Sequence, residues 1–134
     1  MVIGCGGAGK STLSIKLGQI LNLPVHHLDP LQWQPNWVPI PKAEWKSIQE
    51  NLCSQPEWII DGNYGGTMDI RLKACDTIIY LDLPRWVCLF RIFKRFLTYR
   101  GRSRPDMTEG CDERITMEFL RWIWKYPKTK RPGI

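Results

Sequence analysis

Gly4-Cys5-Gly6-Gly7-Ala8-Gly9-Lys10-Ser11 matches the phosphate-binding loop pattern G-x-x-x-x-G-K-[ST]. In this pattern the glycines allow a tight loop whose backbone N–H groups surround the phosphates of a nucleotide. The lysine reaches the β- and γ-phosphates, and the serine hydroxyl ligates Mg²⁺. The residues predicted to bind the nucleotide are therefore Gly4, Gly6, Gly7, Ala8, Gly9, Lys10, Ser11 and Thr12.

The sequence on either side of this loop supports that prediction. Met1-Val2-Ile3 is an apolar strand ending, and residues 11–23 carry apolar side chains at helical spacing, at Leu13, Leu17, Ile20 and Leu21. A strand, a glycine loop and a helix in this order place the positive helix N-terminus at the phosphates.

The rest of the chain alternates between predicted strands and helices. Strands are predicted at 24–28, 58–60 and 77–81, and helices at 42–55, 67–74, 84–99 and 112–125. A Pro- and Trp-rich loop (29–41) and a charged loop (101–110) lie between them. Strands that are apolar throughout and separated by helices predict a doubly wound α/β domain with a parallel sheet covered on both faces.

Both ends of this domain look shortened. Only three residues precede Gly4, and nothing after Lys125 resembles a final strand. We therefore expect a chain that is truncated at the C-terminus, and slightly at the N-terminus, and that lacks the last strand. The last predicted helix has apolar residues on two faces, which predicts cover by further chain or by a second copy in a homodimer.

Composition places the chain in a broad class. Its 134 residues fit one domain, and 19 Lys and Arg against 13 Asp and Glu give a net charge of +6. That excess suits anionic ligands but does not require nucleic acid. Five scattered cysteines without a C-x-x-C pair indicate reduced thiols in a cytoplasmic protein, and no apolar stretch is long enough to span a membrane.

Two acidic residues follow predicted strands and are expected at the same edge of the sheet as the loop. Asp61 is predicted to hold Mg²⁺ together with Ser11, directly or through water; the alternative is a turn or capping role before Gly62. Asp29 is predicted to accept a proton from a substrate hydroxyl or to orient the acceptor. Its alternative is a carboxylate that only structures its loop.

Basic and aromatic residues complete the candidate site. Arg91 and Arg95 are four residues apart on one helix face, where they are predicted to neutralise the transferring phosphoryl group; a solvated basic face is the alternative. His26 and His27 alternate across a strand, so they are not expected to share a metal. Trp33 and Trp37 form either an aromatic wall for the acceptor or a packed loop.

The chain resembles the nucleoside-monophosphate-kinase-like group of phosphate-loop proteins, and more narrowly the bacterial topology modulation proteins. The stretches that carry this resemblance are 2–12, His27-Leu28-Asp29, Ile59-Ile60-Asp61-Gly62-Asn63-Tyr64, Tyr80-Leu81-Asp82-Leu83-Pro84-Arg85-Trp86 and Arg104-Pro105-Asp106-Met107. The resemblance implies a small kinase that uses ATP and Mg²⁺, with Lys10, Asp29, Arg91 and Arg95 as its catalytic residues. It also implies a lid at about 100–112 that closes over the nucleotide.

The acceptor is not defined by this resemblance. The AMP-binding Thr-Gly-Asp stretch of adenylate kinases is replaced here by His26-His27-Leu28-Asp29, and the arginine that follows their Asp-Gly is absent. Arg71 is the expected substitute. The expected function is transfer of the ATP γ-phosphoryl group to an unidentified small acceptor, and the alternative is a nucleotide-binding regulator of DNA topology. No nucleic-acid-binding motif is present, and the Asn-Lys-x-Asp guanine motif of GTPases is missing.

Overall fold

The structure, a computed structural model, describes residues 1–99 and 117–129, with side chains as far as Tyr126. Its strands and helices alternate along the chain. The strands are β1 (Val2–Gly4), β2 (Val25–His27), β3 (Trp33–Gln34), β4 (Val38–Pro39), β5 (Ile59–Asp61) and β6 (Ile79–Leu81). The helices are α1 (Lys10–Leu21), α2 (Leu28–Gln32), α3 (Lys42–Cys53), α4 (Met68–Ala74), α5 (Arg85–Tyr99) and α6 (Met117–Thr129).

Four strands form a parallel sheet in the order β2–β5–β1–β6. Val2 of β1 is paired with Asp61 on one side and with Ile79 on the other, which places β1 in the interior. Val2 and Ile3 are each 1% exposed, as expected for a strand covered on both faces. The predicted parallel α/β fold is confirmed.

The chain places strands on both sides of β1. It passes from β1 through α1 to β2 at the far edge, then returns through α3 to β5 and through α4 to β6. Because parallel crossovers are right-handed, this reversal places α1 on one face of the sheet and α3 and α4 on the other. Accordingly α1 contacts β1, β2 and β5, while α3 packs on α4. This is the doubly wound arrangement that was predicted.

The prediction of one irregular loop over 29–41 is wrong. The segment folds into α2, a two-stranded antiparallel hairpin of β3 and β4, and a short 3₁₀ turn between those strands. Trp33 is paired with Pro39 in the hairpin, and the rings of Trp33 and Trp37 meet edge to face at 5.6 Å. Packing of large rings stabilises strands too short to show an alternating pattern.

The predicted end of the last helix near Lys125 is also wrong, because α6 continues through Pro127 to Thr129. A proline removes only one backbone donor, which a helix tolerates close to its end. The predicted start at Asp112 and the predicted lid lie outside the described residues. Within the described part of the chain no strand follows β6, and no helix there is long and apolar enough to cross a membrane.

Candidate functional site

The phosphate-binding loop joins the end of β1 to the start of α1. Gly9 is the N-cap of α1 with φ of 93°, and no side chain caps the helix, so its first N–H groups point into the loop without an intrahelical partner. Gly7 has φ of 80°, and a Cβ there would lie 2.6 Å from the carbonyl oxygen of Cys88 in α5. Only glycine fits at this position, where the loop passes directly over α5.

Lys10 folds back over this loop. Its Nζ donates hydrogen bonds to the carbonyl oxygens of Gly4 and Cys5, each at 3.0 Å. Burial lowers the pKa of the Lys10 ammonium from its ordinary value, and the nearby Asp29 and Asp61 carboxylates oppose that shift. The loop thus holds a poorly solvated cation where a phosphate would bind.

Arg91 reaches the loop from α5. Its Nη1 donates to the carbonyl oxygen of Ala8 at 3.1 Å and lies 3.3 Å from where a Cβ on Gly9 would be. Arg95 follows one turn later on the same helix and is half-buried. The structure therefore brings Arg91 to the phosphate loop, while the predicted role of Arg91 and Arg95 at the transferring phosphoryl group stays a prediction.

Asp61 ends β5 beside His27, the last residue of β2. The two residues are register partners in the parallel sheet, and Nδ1 of His27 contacts Oδ2 of Asp61. The Asp61 side chain is buried, and His27 covers it on the β2 side. His26 points the other way, and its Nε2 is buried without a hydrogen-bond partner among the described residues. No group of three or more His, Cys, Asp or Glu able to hold a metal occurs within 1–99 and 117–129.

Asn63 connects the ends of β5 and β1. Its Oδ1 accepts a hydrogen bond from the backbone N–H of Gly4 at 3.0 Å, and its Nδ2 donates to the Gly4 carbonyl oxygen at 2.7 Å. The Gly4 backbone is therefore occupied by Asn63 and Lys10. Ala8 N–H is also used within the loop, since it donates to the Cys5 carbonyl oxygen at 3.1 Å. The uncapped N–H groups in the first turn of α1 remain for a phosphate.

Asp29 lies in the first turn of α2, where it meets Tyr64. The Tyr64 hydroxyl donates to Oδ1 of Asp29 at 2.5 Å, and the Trp33 side chain is within hydrogen-bond reach of the same hydroxyl. The Trp45 ring packs edge to face on Tyr64 at 5.0 Å. We call Asp29, Trp33, Trp45 and Tyr64 the Asp29 cluster.

Arg71 does not face a ligand, so the expectation that it binds the acceptor is wrong. It is fully buried, and its guanidinium donates to the carbonyl oxygens of Gly62 at 2.6 Å and Tyr64 at 3.1 Å, and to that of Asn63. Burial lowers the pKa of Arg71 to about 10. Arg71 therefore stabilises the backbone after β5 and does not bind the acceptor.

Helix α6 packs against the phosphate loop at Gly6. Phe119 lies 3.1 Å and Trp122 3.6 Å from where a Cβ on Gly6 would be, and the two rings are stacked at 6.1 Å. Ile123 and Tyr126 pack with Cys5, Ala8 and α5 in one core cluster. The opposite face of α6 is only partly covered: Trp124 packs edge to face on Trp86 at 4.8 Å and under the Arg85 guanidinium, yet it is 40% and Met117 65% exposed. Of the two apolar faces predicted for this helix, the structure covers one fully and the other in part.

Three residues of this site were not predicted: His27, Asn63 and Tyr64. The signal for the last two was their position directly after Asp61-Gly62, at a strand end beside the loop. His27 was considered only as a metal ligand, whereas its strand pairing places it against Asp61.

Comparison with known proteins finds similar chains both among curated proteins and among solved structures. No family model matches this sequence. The uncharacterized protein YqaC of Bacillus subtilis (strain 168) is 25% identical over 130 residues, which cover 93% of this chain and 70% of that protein. The crystal structure of shikimate kinase from Aquifex aeolicus vf5 aligns over the whole of both chains, with a TM-score of 0.48 and 20% identity.

Proposed function

We propose that this chain is an ATP-dependent phosphotransferase that transfers the γ-phosphoryl group of ATP to a small acceptor. The observation that carries the proposal is the phosphate loop itself. An uncapped helix N-terminus, the buried Lys10 ammonium and the Arg91 guanidinium converge on one loop at the carboxyl end of β1. Such an arrangement stabilises the charge that develops during phosphoryl transfer.

The proposed nucleotide contacts follow from this geometry. The backbone from Gly6 to Thr12 binds the phosphates, and the Lys10 ammonium exchanges its two loop carbonyls for phosphate oxygens. Arg91 and Arg95 face the transferred group from α5. Asp29 and the Asp29 cluster lie on the acceptor side of the same strand ends, where Asp29 accepts the hydroxyl proton.

The residues at the loop also fit Mg²⁺. This ion is usually held by one or two protein oxygens together with phosphates and waters, so a larger cluster of protein ligands is not needed. Ser11 in the first turn of α1 and Asp61 at the end of β5 would supply those oxygens. When bound, Mg²⁺ neutralises charge on the phosphates. The four free thiols among the described residues accord with the cytoplasm as the expected location.

The nucleotide part of the proposal is tested by thermal unfolding with and without ATP·Mg²⁺. We expect ATP·Mg²⁺ at about 100 times its Kd to stabilise the folded chain by about 2.7 kcal/mol. Lys10→Ala should remove most of that stabilisation, whereas Lys16→Ala, which alters an exposed lysine of the same helix, should leave it intact.

The same variants separate this proposal from the DNA-regulator alternative. Equal ATP·Mg²⁺ stabilisation of wild type and Lys10→Ala would contradict the proposed site. Tight, salt-dependent DNA binding that does not require Lys10, with no ATP effect at all, would favour the alternative.

A further inference from the structure

The Asp29 cluster has a composition suited to a particular class of acceptor. It combines one carboxylate, one phenol hydroxyl and the half-buried rings of Trp33 and Tyr64, while the Trp45 ring packs on Tyr64 from the core. Aromatic faces bind the nonpolar face of a ring, and a carboxylate accepts hydrogen bonds from alcohols. The cluster therefore places a hydrogen-bond acceptor next to aromatic rings, which suits a ring-bearing ligand with hydroxyl groups.

Tyr64 is held rigidly in this cluster by the backbone on which it lies. Its φ is +42°, a conformation that a bulky residue rarely adopts. Arg71 stabilises that conformation by donating to three successive carbonyl groups, including that of Tyr64. The hydroxyl is consequently fixed 2.5 Å from Asp29 in a conformation that the folded chain must stabilise.

The same contacts take Arg71 out of the acceptor site. With its guanidinium donating to the carbonyls after β5, Arg71 cannot pair with a phosphate or carboxylate on the acceptor. Asp29 and Asp61 both lie at this end of the sheet and act on the Lys10 ammonium, which the proposed function assigns to the nucleotide. Within residues 1–99 and 117–126, an acceptor at the Asp29 cluster contacts the Asp29 carboxylate, which repels an anionic acceptor because like charges at contact repel.

We propose that the acceptor is a neutral, ring-bearing alcohol, such as a sugar or the sugar of a nucleoside, bound against the Asp29 cluster. The inference rests on the proposed function and specifies its substrate class. Tyr64 is a positioning residue that orients Asp29, and the half-buried rings of Trp33 and Tyr64 form the wall. Trp45 is buried in the core behind this wall, where it supports the Tyr64 ring.

In the reaction the acceptor hydroxyl oxygen forms a bond to the γ-phosphorus, and the bond from that phosphorus to the β–γ bridging oxygen breaks. The bridging oxygen leaves with the electron pair as part of ADP. The hydroxyl proton passes to Oδ2 of Asp29, because Oδ1 already accepts from Tyr64. The product is a phosphate monoester of the alcohol.

The test is isothermal titration calorimetry of the chain with two sets of probes, with and without ATP·Mg²⁺, alongside ADP release. The neutral set is D-glucose, myo-inositol and adenosine; the anionic set is AMP and shikimate. We expect binding and ADP release with a member of the neutral set only. Tyr64→Phe, which keeps the ring, should weaken that binding about tenfold and lower kcat, through loss of one hydrogen bond. Trp124→Phe, which alters a ring packed on Trp86 and Arg85 and outside the Asp29 cluster, is the control and should change neither.

The outcomes distinguish the two proposals. Preferential binding of AMP or shikimate overturns the neutral class, and so does the failure of every neutral probe in a chain that ATP·Mg²⁺ stabilises. Equal effects of Tyr64→Phe and Trp124→Phe show that the Asp29 cluster is not the site. A neutral probe that binds at this cluster in a chain indifferent to ATP·Mg²⁺ supports the ligand class and refutes the phosphotransferase.

Discussion

At the scale of single residues, the Cys5 thiol is the part of the phosphate loop that packs into the core. It is 4% exposed and lies in one cluster with Cys88 of α5, which is fully buried. Burial, and then the neighbouring Cys88, raises the pKa of Cys5 to about 12. A thiol that keeps its proton is a poor nucleophile, so Cys5 acts as a small packing residue.

This pKa predicts a dependence of stability on pH. Because the folded chain retains the Cys5 proton above the pKa of the unfolded thiol, the stabilisation is full below about pH 9 and declines as the pH rises toward 12. The free energy of unfolding, measured in urea at about pH 7.5 and about pH 10, should fall more in wild type than in Cys5→Ala. An identical decline in both proteins would contradict the assignment.

The sequence predicts the positions of some residues at the site but not of others, and the difference has a physical cause. Asp61 and Lys10 were predictable because each follows from a strand end or a motif. Tyr64 was not, since its positive φ depends on Arg71, seven residues further along the chain. Arg71 was misassigned because it was taken as the substitute for the arginine that follows Asp-Gly in adenylate kinases, and the sequence does not show that its side chain is buried.

At the scale of elements, the packing of α1 on β2 depends on the absence of a side chain at Gly18. A Cβ at that position would lie 2.4 Å from Cγ2 of Val25 and 3.2 Å from the carbonyl oxygen of Leu23. We expect Gly18→Ala to lower the free energy of unfolding by about 1–3 kcal/mol, because helix and strand must move apart.

Gly65→Ala is the matched control for this prediction. A Cβ on Gly65 meets nothing within 4 Å, so the substitution should change stability by less than about 0.5 kcal/mol. Urea unfolding of the two variants measures the difference directly. Equal stability of both would show that α1 and β2 are less tightly packed than the structure indicates.

The elements themselves were predictable to different degrees. Strands β1, β5 and β6 were found because each belongs to an apolar run, whereas β2 was found from a short stretch before Asp29 that contains two histidines. The β3–β4 hairpin was missed because its strands have two residues each, and Pro35 and Pro39 lie within it. Its stability comes from contacts such as that between Trp33 and Trp37, which no periodic pattern records.

At the scale of the whole molecule, α5 presents an exposed apolar stripe. The stripe consists of four side chains at intervals of four, three and four residues: Trp86 (69% exposed), Phe90 (69%), Phe93 (49%) and Leu97 (72%). Exposed apolar surface of this kind favours association. Cationic side chains flank it, including Lys94 and Arg121, so two copies that met here would also bring like charges together.

Self-association, the expected homodimer, should therefore increase with salt. Sedimentation velocity should show more dimer at about 0.5 M than at about 0.05 M NaCl, because salt screens the repulsion while apolar contact persists. Phe90→Gln should reduce the dimer at both concentrations. Ile20→Gln removes an equally exposed apolar side chain from α1 and should not. A dimer that weakens as salt is added would show that another surface mediates it.

The two hydrogen bonds between Asn63 and Gly4 have a thermodynamic consequence. Asn63 is hydrogen-bonded to the backbone of Gly4, the first residue of the phosphate loop. Tyr64, which follows Asn63 in the chain, donates a hydrogen bond to Asp29. If nucleotide binding shifts the loop, Asn63 and Tyr64 transmit part of the free energy of that shift to Asp29 on the acceptor side. Linkage then requires reciprocity: whatever factor ATP applies to acceptor affinity, the acceptor applies to ATP affinity. The side-chain amide of Asn63 would thus make the binding of the nucleotide and the binding of the acceptor cooperative.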